Sequence, residues 1–231
     1  MTGGLILVMV ISFGIGLLAQ GHVKGMLAKY SRVGAQGGYS GAQVAARILQ
    51  NAGIRDVAIM EHQGMMGDHY DPTRKRLVLS SENYHGRSLA AIGVAAHECG
   101  HAIQHQQAYA PLQLRMAAVG VTTFANQALT YLMFFGMVSG LLATEVGLGA
   151  VAACWGIIML FNLVTLPVEY DASRRAKIVL GQLGFTATAG ENAAVSKVLN
   201  AAALTYVAAF VTSLLYFLVF LLPLLTGRRD D

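Results

Sequence analysis

The chain is poor in charge. Asp, Glu, Lys and Arg make up only 12% of its 231 residues, about half the share usual in soluble domains. Hydrophobic residues reach 55%, and they come in long blocks that a core of this size could not bury. A disordered chain and a simple water-soluble enzyme are both excluded. Cysteine is scarce too: Cys99 and Cys154 stand far apart and outside any CxxC pair, which excludes a disulfide scaffold and a cysteine-built zinc ribbon. Charge of one sign is not in large excess. The formal net charge is +4, the basic residues sit beside apolar blocks, and no nucleic-acid-binding motif occurs, so nucleic acid is not an expected partner.

Four uncharged apolar blocks remain: 3–19, 116–143, 146–168 and 201–226. A bilayer core takes about 20 helical residues, so the sequence predicts a mainly α membrane protein with four transmembrane helices. The middle two form a hairpin turning at Thr144, Glu145 and the glycines after it. No Lys or Arg precedes the first block and Ala19-Gln20-Gly21 is a weak cleavage site, so this block reads as a retained anchor, not a signal peptide. Of 16 Lys and Arg, 14 lie in the segments 21–115 and 169–200, and Arg228 and Arg229 lie in the tail. The positive-inside rule puts both segments in the cytoplasm and both termini outside. The expected division is an anchor over 1–20, a polar segment over 21–115, a transmembrane hairpin over 116–168, a second polar segment over 169–200, and a last span with its tail over 201–231.

Segment 21–115 reads as a small α+β unit. Ser40 caps a helix over 42–50 that stops at Gly53. A short strand follows at 57–60, a turn at 68–72, and an exposed alternating strand at 76–80, where a peptide could add by strand pairing. The glycines between Gly34 and Gly41 read as a flexible link. A further helix runs from about Ser88 to Gln107, ending before Pro111.

That helix holds His97-Glu98-Cys99-Gly100-His101, an HExxH match. At roughly 100° per residue, His97 and His101 share one face, one turn apart, so both imidazoles can hold one metal ion. Glu98 stands beside them as a candidate general base. Cys99 projects from roughly the opposite side and is no ligand. His105 lies about 12 Å beyond His97 along the axis and cannot reach the same ion. Gln104 and Gln107 occupy the places where a metzincin has Gly and His. No acid stands between Glu98 and Glu145, and Glu145 falls at the hairpin tip, across the membrane. Glu169, Asp171 and Glu191 remain on the correct side as candidates for the third ligand. Glu169, where the third span ends, leads them, against a simpler reading in which it pairs with Arg174 or Arg175 at the interface.

His62, His69 and His85 read as ordinary loop histidines, Arg174 and Arg175 as interface anchors. Tyr131, Phe134, Phe135, Cys154 and Trp155 read as packing or lipid contacts.

The stretches AAHECGHAIQH, VEYDASRRA and LNAAALTYVAAF, with HYDP and the LVLSSENYHGRSLAAIGVA approach to the helix, resemble the YugP-like neutral zinc metallopeptidases of bacterial membranes, distant relatives of HtpX-type gluzincins. The resemblance spans most of the chain. It implies a gluzincin-like catalytic unit in a multi-pass protein of the bacterial inner membrane, Zn2+ bound by His97, His101 and Glu169, and Glu98 as the catalytic residue. Ser173 stands where HtpX-type enzymes have Asp, so either Ser173 or Asp171 is left to support a zinc-bound histidine. The expected activity is endoproteolysis of protein or peptide substrates at the membrane surface. The alternatives are an intramembrane zinc protease and a membrane scaffold or adaptor with a structural metal. Apart from substrate and lipid bilayer, the sequence names no partner and no oligomeric state.

Overall fold

The computed structural model describes residues 2–63 and 67–227, so Arg228 and Arg229 of the tail lie outside it. The chain divides into two compact units: one draws on Met1–Ala19, Leu114–Leu166 and Thr205–Asp231, the other on Gln20–Gln113 and Pro167–Leu204.

The described residues of the first unit are helical apart from one turn. It takes its residues from α1 (Thr2–Tyr30), α5 (Ala110–Val138), α6 (Glu145–Gln182) and α7 (Ala189–Thr226). Small residues let these helices meet. Ala125 packs with Cys154 and Ile158, while Val151 and Ala152 pack with Phe220. Trp155 stacks on Tyr216 with ring centroids 4.4 Å apart. The Asn162 amide donates to the Ala209 carbonyl at 3.2 Å and to the Ser213 hydroxyl at 3.0 Å, a polar tie between α6 and α7 of the kind that joins helices in lipid.

Among the described residues, three helices are long and apolar enough to cross a membrane: α1 over Gly3–Tyr30, α6 and α7. α5 is long as well, but Thr122, Thr123, Asn126, Gln127 and Thr130 dilute its apolar run. Four of these side chains bond within the helix, Thr122 to the Ala118 carbonyl, Thr123 to that of Val119, Asn126 to that of Thr122 and Thr130 to that of Asn126. The turn between α5 and α6 also falls earlier than expected. A short 3₁₀ segment, Leu141–Ala143, fills it, and Thr144 caps α6 by accepting from the Gly147 N–H. Glu145 and the glycines after it are already helical. Glu169, expected where the third span ends, lies within α6, which continues unbroken through it.

The second unit is α+β. α2 (Gly41–Asn51) begins at a complete capping box: the Gln43 N–H donates to Ser40 Oγ at 3.3 Å, and Gln43 Oε1 accepts from the Ser40 N–H at 2.9 Å. β1 (Ala58–His62), β2 (His69–Asp71) and β3 (Arg76–Ser80) form a sheet of order β1-β3-β2, with β1 parallel and β2 antiparallel to β3. Two expectations change here. The stretch read as a turn at 68–72 contains strand β2. The strand read as exposed is central, with Leu77, Val78 and Leu79 all buried. Alternate residues of a strand face opposite ways, so both faces of β3 are covered and both its edges are paired. It is therefore the central strand and not an edge strand; β1 and β2 are the edge strands of this sheet.

α3 (Ser81–His85), which the sequence did not suggest, leads into α4 (Leu89–Gln106), capped by Ser88 accepting from the Ala91 N–H at 3.1 Å. The link after α1 is tied down and not loose: the Ala35 N–H donates to the Arg87 carbonyl and the Leu89 N–H to that of Val33. One core joins Val44, Ala45 and Ile48 of α2, Leu77 and Leu79 of β3, Ile92, Ala95, Ala96 and Cys99 of α4, Ala176 and Leu180 of α6, and Val195 and Val198 of α7. The stretches 20–113 and 167–204 therefore fold together.

Losing the Ser40 cap exposes one amide of α2's first turn. Ser40→Ala is expected to lower stability by about 1 kcal/mol, read as a small drop in the thermal midpoint of the detergent-solubilised protein. An unchanged midpoint would mean that tertiary packing alone holds the start of α2.

Candidate metal centre

α4 reaches the centre of the second unit through an apolar run, Leu89–Ala96, in which all but Val94 are buried. His97 and His101 then fall one turn apart on one face, ring centroids 4.8 Å apart and nearly perpendicular. α6 supplies the third group. Glu169 Oε2 lies 3.2 Å from His97 Nε2 and 3.6 Å from His101 Nε2, and its side chain is 2% exposed. The candidate ligand atoms of the three residues all lie within 4.8 Å of one another. Donors held about 2.1 Å from one tetrahedral ion stand roughly 3.4 Å apart, so the set has the spacing of a zinc site. Two neutral imidazoles and one carboxylate are also the donor set of known catalytic zinc centres.

Both histidines are oriented from behind. His97 Nδ1 lies 3.1 Å from Ser173 Oγ, and His101 Nδ1 lies 3.0 Å from Gln104 Oε1. These contacts leave each Nε2 facing Glu169. Of the two residues considered for this support, Ser173 meets a histidine directly and Asp171 does not. Burial disfavours a charged His101, but the Glu169 hydrogen bond and the charges of Glu98 and Glu169 outweigh it, and the proton affinity of His101 is raised. A proton and a metal ion compete for the same lone pair, so metal binding weakens as pH falls.

The approach of α4 to α6 depends on Gly100. A Cβ at this position would lie 2.6 Å from the Ala172 carbonyl oxygen and 3.0 Å from its Cα. Only glycine permits the contact, and the contact sets Glu169 against the two histidines. Glu98 is buried on the same helix. Cys99 points away into the core, its thiol against the Ala45 carbonyl at 3.7 Å, and burial raises its pKa well above the ordinary value.

A family model described as "Putative neutral zinc metallopeptidase" matches residues 5–224. The chain belongs to that family. It is also 44% identical, over 220 residues, to the Bacillus subtilis (strain 168) protein named "Putative membrane protease YugP", covering 95% of this chain and 96% of that one. No solved structure matches.

The other sequence candidates fall outside the cluster. Glu191 accepts from the backbone N–H groups of Gln36, Ala187 and Thr188 and so anchors the start of α7. Asp171 is held by Arg174 and Arg175, which gives these arginines a defined carboxylate partner and leaves Glu169 to the histidines. His69 bonds the Gly67 carbonyl and His85 pairs with Glu61. His105 Nδ1 meets the Tyr70 hydroxyl at 2.9 Å. Both line a separate cavity of about 520 Å³ with Arg55, Asp56 and Lys75, which includes none of the three clustered residues. Burial, then the charges of Asp56 and Asp71, push the Tyr70 hydroxyl up to about 12. Sequence reasoning noted Gln104 only as a departure from another motif. Its position one turn from Gly100, on the His97 side of the helix, was the available signal.

The geometry predicts which carboxylate matters most for a metal. Glu169→Gln removes the anionic donor and should nearly abolish zinc binding, whereas Asp171→Asn should weaken it about 10–100-fold at most. Zinc titration of both variants in detergent checks this. Loss of zinc in Asp171→Asn with wild-type affinity in Glu169→Gln would place the coordinating carboxylate two residues further on.

Proposed function

We propose that this chain is a membrane-anchored zinc endopeptidase of the gluzincin type, acting on protein or peptide substrates at the membrane surface. The observation that carries the reading is the meeting of His97, His101 and Glu169 from two helices, with Glu98 next to His97. Zinc held there supplies Lewis acidity toward the scissile carbonyl and toward the attacking water. Glu98 takes the proton from that water as its oxygen bonds to the carbonyl carbon, then delivers it to the amine as the C–N bond breaks. His97 and His101, contacted at Nδ1 by Ser173 and Gln104, would hold the metal through their Nε2 atoms. Among the described residues no fourth His, Cys, Asp or Glu joins the cluster, which favours an open catalytic position over a closed structural site.

Glu98→Gln keeps the size of the side chain and loses its basicity. It is expected to retain zinc and fold while losing at least about 10²-fold in peptide hydrolysis. Wild-type turnover by this variant would remove Glu98 from the reaction.

A four-span arrangement in the inner membrane of a bacterium, with the catalytic segments in the cytoplasm, belongs to the same proposal. The support is topological. Residues 20–113 and 167–204 share one core, so they lie on one side of the bilayer, and the stretch between them crosses an even number of times. α6 crossing once requires a second crossing, which α5 supplies. Its threonine hydroxyls and the Asn126 amide, bonded to its own carbonyls, are tolerable in lipid. The basic residues of both segments put that side in the cytoplasm. Single cysteines at Asp68 and Gln182 should label from the same face and one at Glu145 from the other; the native Cys99 and Cys154 are buried. Labelling of the first two from opposite faces would remove both the four-span arrangement and the shared site.

A further inference from the structure

Gln104 is the one polar side chain of α4 with no exposure at all. It sits three residues past His101, and all its partners are fixed. Its Nε2 donates to the Val168 carbonyl at 2.8 Å and to Asp171 Oδ2 at 3.0 Å. Both partners can only accept, so the amide has a single orientation: turned over, its oxygen would face two other oxygens. Its Oε1 is thereby aimed at His101 Nδ1, 3.0 Å away, and an amide oxygen can only accept. His101 must therefore carry its proton on Nδ1, which leaves the Nε2 lone pair facing Glu169. The opposite tautomer cannot bind a metal through Nε2.

Asp171 is fixed in turn. Arg174 and Arg175, one turn along α6, both bind its carboxylate. Arg175 also donates to Gln107 Oε1 at 2.6 Å and lies 5.7 Å from the centre of the Tyr109 ring. His97 is held differently. A hydroxyl can donate or accept, so Ser173 orients that ring without dictating its tautomer.

We infer that Gln104 is a positioning residue that locks His101 as an Nε2 metal donor, and that Asp171, pinned by Arg174 and Arg175, acts through it by fixing which way the amide faces. This rests on the metal centre proposed above and assigns a role to residues outside its ligand set.

The test uses the full chain in detergent, with zinc affinity measured by chelator competition and the bound geometry read from the visible absorption of the cobalt-substituted protein. Gln104→Leu should bind zinc about 10–100-fold more weakly and shift the cobalt bands, with its helical circular dichroism unchanged. Asp171→Asn should weaken zinc less, because an amide there can face Gln104 either way. The double variant should bind no more weakly than Gln104→Leu alone, since Asp171 has no other route to His101. Residues that act independently would give additive losses. If Gln104→Leu does not fold, Gln104→Asn takes its place, because its amide is one methylene too short to span His101, Val168 and Asp171; the same outcomes decide.

Zinc affinity within twofold of wild type in the Gln104 variant, or additive losses in the double variant, overturns the inference and leaves the metal centre standing. A wild-type protein that takes up no zinc overturns the metal centre, and this inference with it.

Discussion

The contact between Gly100 of α4 and the backbone of Ala172 in α6 is the constraint on which the rest depends. Two imidazoles on one helix cannot make a three-donor site alone. The carboxylate must come from elsewhere in the chain, and the candidate here, Glu169, stands 68 positions after His101. It arrives because α4 has no side chain where the two helices touch, with room for Ala172 and no more. At that separation one turn of α6 delivers Glu169 to the imidazole Nε2 atoms, Ser173 to His97 Nδ1 and Asp171 to Gln104. A single close approach therefore places both the candidate ligands and the groups behind them.

The electrostatics of α6 follow from the same geometry. Two carboxylates two residues apart point to different sides of a helix, and their partners divide accordingly. Glu169 meets the imidazoles, and Asp171 meets two guanidinium groups. Without Arg174 and Arg175, Asp171 would add an uncompensated charge beside Gln104. With them it becomes a fixed acceptor. The polar groups behind the histidines, an amide and a hydroxyl, are neutral, so among the described residues Glu169 is the anionic group in contact with both rings.

Membrane character and site geometry meet in α6, which holds one of the three strongly apolar runs of the described residues and also Glu169. Charge is scarce in the apolar blocks because lipid tolerates little of it. It is concentrated in the stretches that fold as α+β. Within those stretches the carboxylates are committed one by one: Glu191 to backbone amides, Asp171 to arginines, Glu169 to histidines.

Much of this was legible in the order of residues, where local rules apply. The helix at 41–51 and its cap could be read because Ser40 and Gln43 satisfy the first-turn amides from three residues apart. The pair His97 and His101 could be read because helical pitch alone puts them on one face, as it puts Cys99 on the other. The HExxH motif and the flanking stretches were enough to identify the family. Elsewhere the local pattern misled. Arg76–Ser80 alternates like an exposed strand, yet elements distant in the chain bury it on both faces. The glycines after α1 suggest looseness, yet Arg87 and Leu89 hold the neighbouring backbone. The convergence of Glu169 on the histidines could be argued only by exclusion, and the place of Gln104 behind His101 not at all. Both depend on how closely α4 approaches α6, a distance set by packing across the whole unit, which no spacing within either helix encodes.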